Sequence, residues 1–175
     1  AAGGAACAAA VAACADAHVL ASGLKMFYRK LPEPLVPTRC YRAVVEAGRN
    51  LASDREASAE ELEELKALLH SSFDPPHLTC LHALLAFLLE MSTYAAATRM
   101  GVSNLAIVFA PNVIRPDESV DPATALADVT PAAQALAAMI RHHQQLFAGR
   151  PSPLVAQAEA IDAAGLANPA PSAAA

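Results

Sequence analysis

The 175-residue sequence has no Cys-x-x-Cys pair, no apolar run long enough to cross a bilayer and no excess of basic charge. Each absence removes a class of function. The four cysteines, Cys7, Cys14, Cys40 and Cys80, show no regular spacing. That argues against a disulfide framework or a zinc site, and for reduced thiols in a cytoplasmic protein. His77 and His82 stand five apart, off a common helix face, so neither a metal nor a cofactor is expected. The most apolar run, residues 83–89, is far short of the ~20 residues a bilayer needs, which excludes direct membrane insertion. A formal charge of −5 and a pI near 5.6 leave no clustered Lys and Arg surface for nucleic acid. The N-terminal Ala and Gly run has neither the positive flank nor the cleavage pattern of a secretory signal. The first residue is Ala, so the chain is expected to begin inside a longer protein. One more absence bears on everything below: no arginine precedes Arg29.

What is present suits one helical domain. Alanine inflates the apolar content, and the residues able to fill a core concentrate between about 19 and 147. Residues 1–15 are nearly all Ala, Gly and Cys and read as a low-complexity segment. Residues 149–175 are Pro, Ala and Ser with few large side chains and are expected to be disordered. The domain is placed at residues 16–148, with no internal repeat.

Within it, Asp16 offers an N-cap, and Leu20, Leu24, Phe27 and Leu31 share one stripe at ~100° per residue. His18, Ser22, Lys25 and Arg29 fall on the opposite side. Pro32 ends this helix by excluding the α conformation at Leu31 and removing a donor. A short helix is expected over about 41–51. Ser58 caps another over 60–70, with Leu62, Leu65, Leu68 and Leu69 on one face. Residues 77–94 are apolar on nearly every side, the mark of a helix surrounded by others. Ser103 is expected to cap the next helix, with Val102 and Ile107 at its staple positions. Residues 105–109 also read as a short buried strand, but no second strand of that quality exists to pair with it, so helix is preferred. Pro111 should kink or end it. Residues 117–130 read as a loop, and Thr130-Pro131 opens a final helix through Phe147.

Two segments carry more than periodicity: Leu24-Lys25-Met26-Phe27-Tyr28-Arg29-Lys30-Leu31-Pro32-Glu33-Pro34-Leu35 and Met100-Gly101-Val102-Ser103-Asn104-Leu105-Ala106-Ile107-Val108-Phe109-Ala110-Pro111-Asn112. In that order, with a helical region between them, they resemble the GTPase-activating domain of Rho-family GTPases (RhoGAP). The resemblance covers about residues 16–147 and is weak over 54–64. It implies an all-α, RhoGAP-like helical bundle, N-terminally incomplete. It also implies a partner, a Rho-family small GTPase in its GTP-bound form. The implied role is a regulator that accelerates GTP hydrolysis in signal transduction without catalytic chemistry of its own.

Residue by residue, the resemblance places Lys25 at the GTPase interface and has Arg29 brace the loop that carries an inserted arginine. It has Asn104 contact the GTPase switch region, and Asn112 completes the family's Gly-Pro-Asn, with Ala110 here in place of Gly. Read from the residues alone, Lys25 and Arg29 are a solvated basic face, Asn104 a part of helix initiation, and Asn112 a side chain bonding nearby backbone at a kink. Asp16 and His18 resemble the family's Asp-x-His. Arg99 stands where the family usually has Lys before Met. Arg39, Arg42, Arg49 and Arg115 lie away from where the family places its arginine finger. That finger lies upstream of the Lys25–Arg29 helix and is absent from this sequence. The alternatives are a non-catalytic module of the same fold that binds GTPases or other partners as a scaffold, and an unrelated helical bundle. A domain lacking its first helices should expose part of its core, so marginal stability or aggregation is expected of this chain.

Overall fold

Asp16 opens the first helix by accepting a hydrogen bond from the His18 backbone N–H at 2.8 Å. This satisfies one of the donors that every helix start leaves unpaired. Helix α1 then runs Ala17–Arg29. The computed structural model describes residues 14, 16–51 and 57–150. The Ala/Gly segment expected at 1–15, Cys14 apart, lies outside the described residues, as does the tail beyond Arg150.

Past Pro32 the chain stays extended and buries Leu35 and Val36. A 3₁₀ turn at Thr38–Cys40 leads into α2, Tyr41–Asn50. Helix α3, Ala59–Ser72, begins with a complete capping box, in which Ser58 and Glu61 each satisfy the other's backbone N–H. Pro75 at the first turn starts α4, Pro75–Thr93, whose Leu78, Leu81, Leu84, Leu85 and Leu88 are buried. A short α5, Ala95–Thr98, ends at Arg99 in the left-handed conformation, φ 58°. Helices α6 (Val102–Val113), α7 (Pro122–Ala127), α8 (Val129–Arg141) and α9 (His143–Leu146) complete the chain. Among the described residues no strand forms; Val36 and Ile114 make one isolated parallel bridge.

Helix α8 is the centre of the bundle, packed against α2, α4 and α6. Its alanines bury little area but let neighbours approach closely. The closest approach is at Gly48 on α2, where an added Cβ would lie 2.0 Å from the Pro131 carbonyl oxygen. One buried polar knot ties the same seam. The Asp128 carboxylate accepts from the Tyr41 hydroxyl at 3.0 Å and from the Arg49 guanidinium, which also reaches Glu46 at 2.8 Å. Burial pushes the Tyr41 phenol up to about 12, and its hydrogen bond to Asp128 adds to this.

Several expectations need correction. Ser103 lies inside α6, and Gly101 takes the capping position without a side-chain bond. Val102 is helical and Ile107 is 61% exposed, so the expected staple does not form. Pro111 does not end the helix at its own position, because α6 continues to Val113. The residue whose carbonyl loses a partner, Ile107, is on the exposed face, where water can replace the lost donor. The expected loop over 117–130 contains α7, opened by Asp121 as cap and Pro122 at the first position, with Asp121 accepting from the Ala123 and Thr124 N–H groups. The final helix starts at Val129 and breaks at His142 into α8 and α9. Among the described residues no helix is long and apolar enough to cross a membrane, and no group of three or more His, Cys, Asp or Glu is placed to hold a metal. Cys14, Cys40 and Cys80 are free, and Cys7 lies outside the described residues.

Candidate docking site on two adjoining helices

Helix α1 turns into the core a side shifted from its apolar stripe, so that only part of the stripe packs. Tyr28 is buried, with Leu24 and Leu31 partly buried against the core. Leu20 is at the edge of exposure and Phe27 is 60% exposed, so the stripe expected to face inward is turned partly to solvent. The reason is Tyr28, whose ring packs while its polar tip hides it from a purely apolar pattern. Burial pushes the Tyr28 phenol up to about 12, with Cys80 adding in the same direction. On the polar side Lys25 is half-buried and Arg29 exposed, while His18 is exposed near the helix start.

Helix α6 packs directly against α1. It buries Leu105, Ala106, Phe109, Ala110 and Val113, and leaves Asn104 exposed and Asn112 half-buried. The Ala110 methyl, where a glycine would be expected, sits within the core and crowds nothing on the surface. Asn104 is already engaged in part, since its Nδ2 donates to the Arg99 carbonyl at 2.8 Å. That bond holds the residue with the left-handed backbone, a conformation that strains a non-glycine side chain. The Asn112 Nδ2 donates to the Val108 carbonyl at 2.9 Å, as the backbone reading of that residue anticipates. Lys25 and Arg29 on one helix and Asn104 and Asn112 on the other thus belong to one packed pair. Together the two helices carry two positive charges and two side-chain amides.

Sequence reasoning passed over Arg115. From the exit of α6 its guanidinium donates to the carbonyls of Arg29, at 2.9 Å, and Leu31, at 2.7 Å. Its Nε is buried without a partner. The available signal was generic: a helix leaves its last carbonyls unsatisfied, and a basic residue has to be found for them in space and not in sequence. His77 and His82, from which no metal site is expected, lie in different surroundings. His77 bonds the Leu35 carbonyl at 3.0 Å and approaches Glu33 at 3.5 Å, whereas His82 is buried and stacks on Phe147 at 4.3 Å.

A model of the RhoGAP domain matches residues 6–118. Human Rho GTPase-activating protein 24 is 34% identical over 133 residues, covering 75% of this chain and 17% of its own length. Mouse Rho GTPase-activating protein 22 is 32% identical over 134 residues, covering 76% of this chain and 18% of its own. The chain therefore spans under a fifth of these curated relatives. Among solved structures, the BH domain from Graf, the GTPase regulator associated with focal adhesion kinase, superposes with a TM-score of 0.64 at 25% identity, covering 79% of this chain and 71% of that one. Human Rho GTPase activating protein 15 gives 0.64 at 26% identity, covering 75% and 59%.

Proposed function

The chain belongs to the RhoGAP domain family, and from that premise we propose that residues 16–148 dock a Rho-family GTPase in its GTP-bound form and serve the acceleration of GTP hydrolysis in cytoplasmic signal transduction. The observation that supports this reading is the packing of α1, which carries Lys25 and Arg29, on α6, which carries Asn104 and Asn112. Lys25 supplies charge at the interface, and Arg29 braces whatever loop delivers an arginine. Asn104 offers its remaining amide hydrogen and its oxygen to the switch region, and Asn112 supports the same surface.

The mechanism is positional and electrostatic. The GTPase holds GTP and Mg²⁺ and orients water, while the activator steadies that arrangement and adds positive charge as the γ-phosphoryl group leaves. The inserted arginine contributes roughly 10³–10⁵ in rate. This sequence holds no arginine ahead of Arg29. The alternative reading is a non-catalytic module that binds GTPases or other partners as a scaffold.

Binding to a Rho-family GTPase loaded with a non-hydrolysable GTP analogue tests the docking. Lys25→Ala and Asn104→Ala should each weaken it about tenfold, or about 1.4 kcal/mol. Unchanged binding in both variants would sink the docking assignment. Single-turnover hydrolysis then separates the two readings: binding without acceleration is the scaffold, and binding with acceleration is the activator.

A further inference from the structure

Helix α1 is held at its C-terminal end by one side chain from another part of the chain. We propose that Arg115 is a positioning residue for the docking surface: by gripping the Arg29 and Leu31 carbonyls from the exit of α6, it sets where Lys25 and Arg29 stand relative to Asn104 and Asn112. The inference rests on the docking reading above and deepens it.

Three observations converge on this end of the helix. The first is the grip itself, two donor bonds at 2.9 and 2.7 Å from one guanidinium. Its carbonyl partners are two residues apart, so the planar fork fixes direction as well as distance, which a lysine ammonium does not do. A cation at the last carbonyls of α1 also meets the negative end of the helix dipole. The second is a parallel stitch next to it. The Val36 N–H donates to the Val113 carbonyl at 2.9 Å, so the segment leaving α1 and the segment leaving α6 are joined on both sides of Pro32-Glu33-Pro34. The third is how little else fixes α1. Of its residues among those described, Tyr28 alone is buried, with Leu24 partly so. A helix with so thin a packed face depends for its orientation on its anchored end, and that end is the C-terminal one, where Arg115 binds; Asp16 caps only its own helix.

Arg29 is itself gripped through its backbone, and Lys25 lies one turn before it. A tilt of α1 about its N-terminus therefore moves both side chains, while Asn104, held to the Arg99 carbonyl, stays in place. Geometry of this kind acts on binding through Lys25 and Arg29, and so should fail to add to their loss.

The test is a double-mutant cycle on the full chain, with a Rho-family GTPase carrying a non-hydrolysable GTP analogue as the probe. Arg115→Lys should weaken binding about tenfold while the thermal midpoint moves little, and Lys25→Ala with Arg115→Lys should bind no more than about twofold more weakly than Lys25→Ala alone. Arg115→Gln, which is shorter and lacks the charge that meets the α1 carbonyls, should weaken binding at least as much as Arg115→Lys. Losses that multiply independently overturn the inference, because they make Arg115 a contact or a stability residue in its own right. Wild-type affinity in both Arg115 variants overturns it as well. So does a loss that disappears on cooling in step with refolding, which marks a purely structural role. A wild-type chain that does not bind removes the docking reading and this inference with it, whereas the other outcomes leave the docking reading standing.

Discussion

Helices α1 and α8 each have 13 residues, and they do opposite work. Helix α8 buries eight of its residues, five of them alanines, and neighbours press on it from several sides. Helix α1 buries one, Tyr28, among the described residues, and leaves Val19, Met26 and Phe27 more than half exposed. In α8, small side chains bring backbones together, so its position is set along its whole length. In α1, which also rests on α6, the side-chain bonds from a distant segment are made at the C-terminal end, by Arg115. The difference separates a helix that holds the fold from a helix that presents a face.

The sharpest way to break this comparison uses one glycine from each side. In α2, pressed on α8, a Cβ at Gly48 would lie 2.0 Å from the Pro131 carbonyl oxygen and 2.8 Å from its carbon. Backbone cannot yield as a flexible side chain does, so Gly48→Ala has to push α2 away from α8. The expected loss is more than about 4 kcal/mol, at the exceptional end for one substitution. In α1, a Cβ at Gly23 meets nothing within 4 Å. There the same substitution should stabilise by about 0.5–1 kcal/mol through helix propensity alone. Urea unfolding of the two variants checks both signs together. Two losses of similar size would mean that α1 is packed as tightly as α8.

Much of this division was legible in the sequence, and where it was not the physical reason can be named. Local chemistry was readable: Asp16 and Ser58 cap their helices as their side chains dictate. The apolar girth of residues 77–94 reported a surrounded helix correctly. Motifs placed Lys25, Arg29 and Asn104 on two helices that do pack together. Facing was not readable where amphipathic residues decide it, as Tyr28 does in turning α1. Asp121-Pro122 was a start signal overlooked within a polar stretch. Contacts between distant segments were out of reach altogether. Nothing in spacing tells that Arg115 meets the Arg29 carbonyl, or that Asp128 forgoes capping α8 because Tyr41 and Arg49 hold its carboxylate.

Acid offers a milder probe of the packed side. Near its C-terminal end the bundle buries His82 of α4 beside His143 of α9, ring centres 4.8 Å apart, with His82 stacked flat on Phe147. His70 of α3 faces the same cluster, bonding the Leu146 carbonyl at 2.8 Å, and Arg150 lies beyond α9. Burial pushes His82 down to about 4, and the charges of His143 and Arg150 add to this. Burial also lowers His143, against a hydrogen bond with the His82 backbone. Both rings are therefore neutral in the folded chain while the unfolded chain protonates them near the ordinary value of 6.5. Between about pH 6.5 and pH 4 the unfolded state binds more protons, so stability falls as pH falls. The loss from His82 alone should reach about 1 kcal/mol at about pH 5.5. His82→Phe should flatten that slope in thermal melts taken across this range. An unchanged slope would mean that the rings are hydrated.

The smallest expected effect is the one that most directly tests whether α1 is a presenting helix. Phe27 is the bulkiest side chain on its outer face, 60% exposed, with an edge-on contact to Tyr28 at 5.3 Å between ring centres. A buried phenylalanine cut to alanine costs about 3–5 kcal/mol, because it loses transfer energy and leaves a cavity. Phe27 has most of its surface in water already and leaves no cavity when removed. Phe27→Ala should therefore shift stability by no more than about 0.5 kcal/mol, the range of ordinary surface changes. Chemical denaturation at two protein concentrations measures it. A small, concentration-independent change leaves α1 as a presented face anchored at its C-terminal end. A loss above about 2 kcal/mol at both concentrations would mean that Phe27 is covered within the chain itself, and one that grows with concentration would mean that another copy covers it. Either result would return α1 to the packed side of the comparison and remove the ground for treating its C-terminal end as what sets its position.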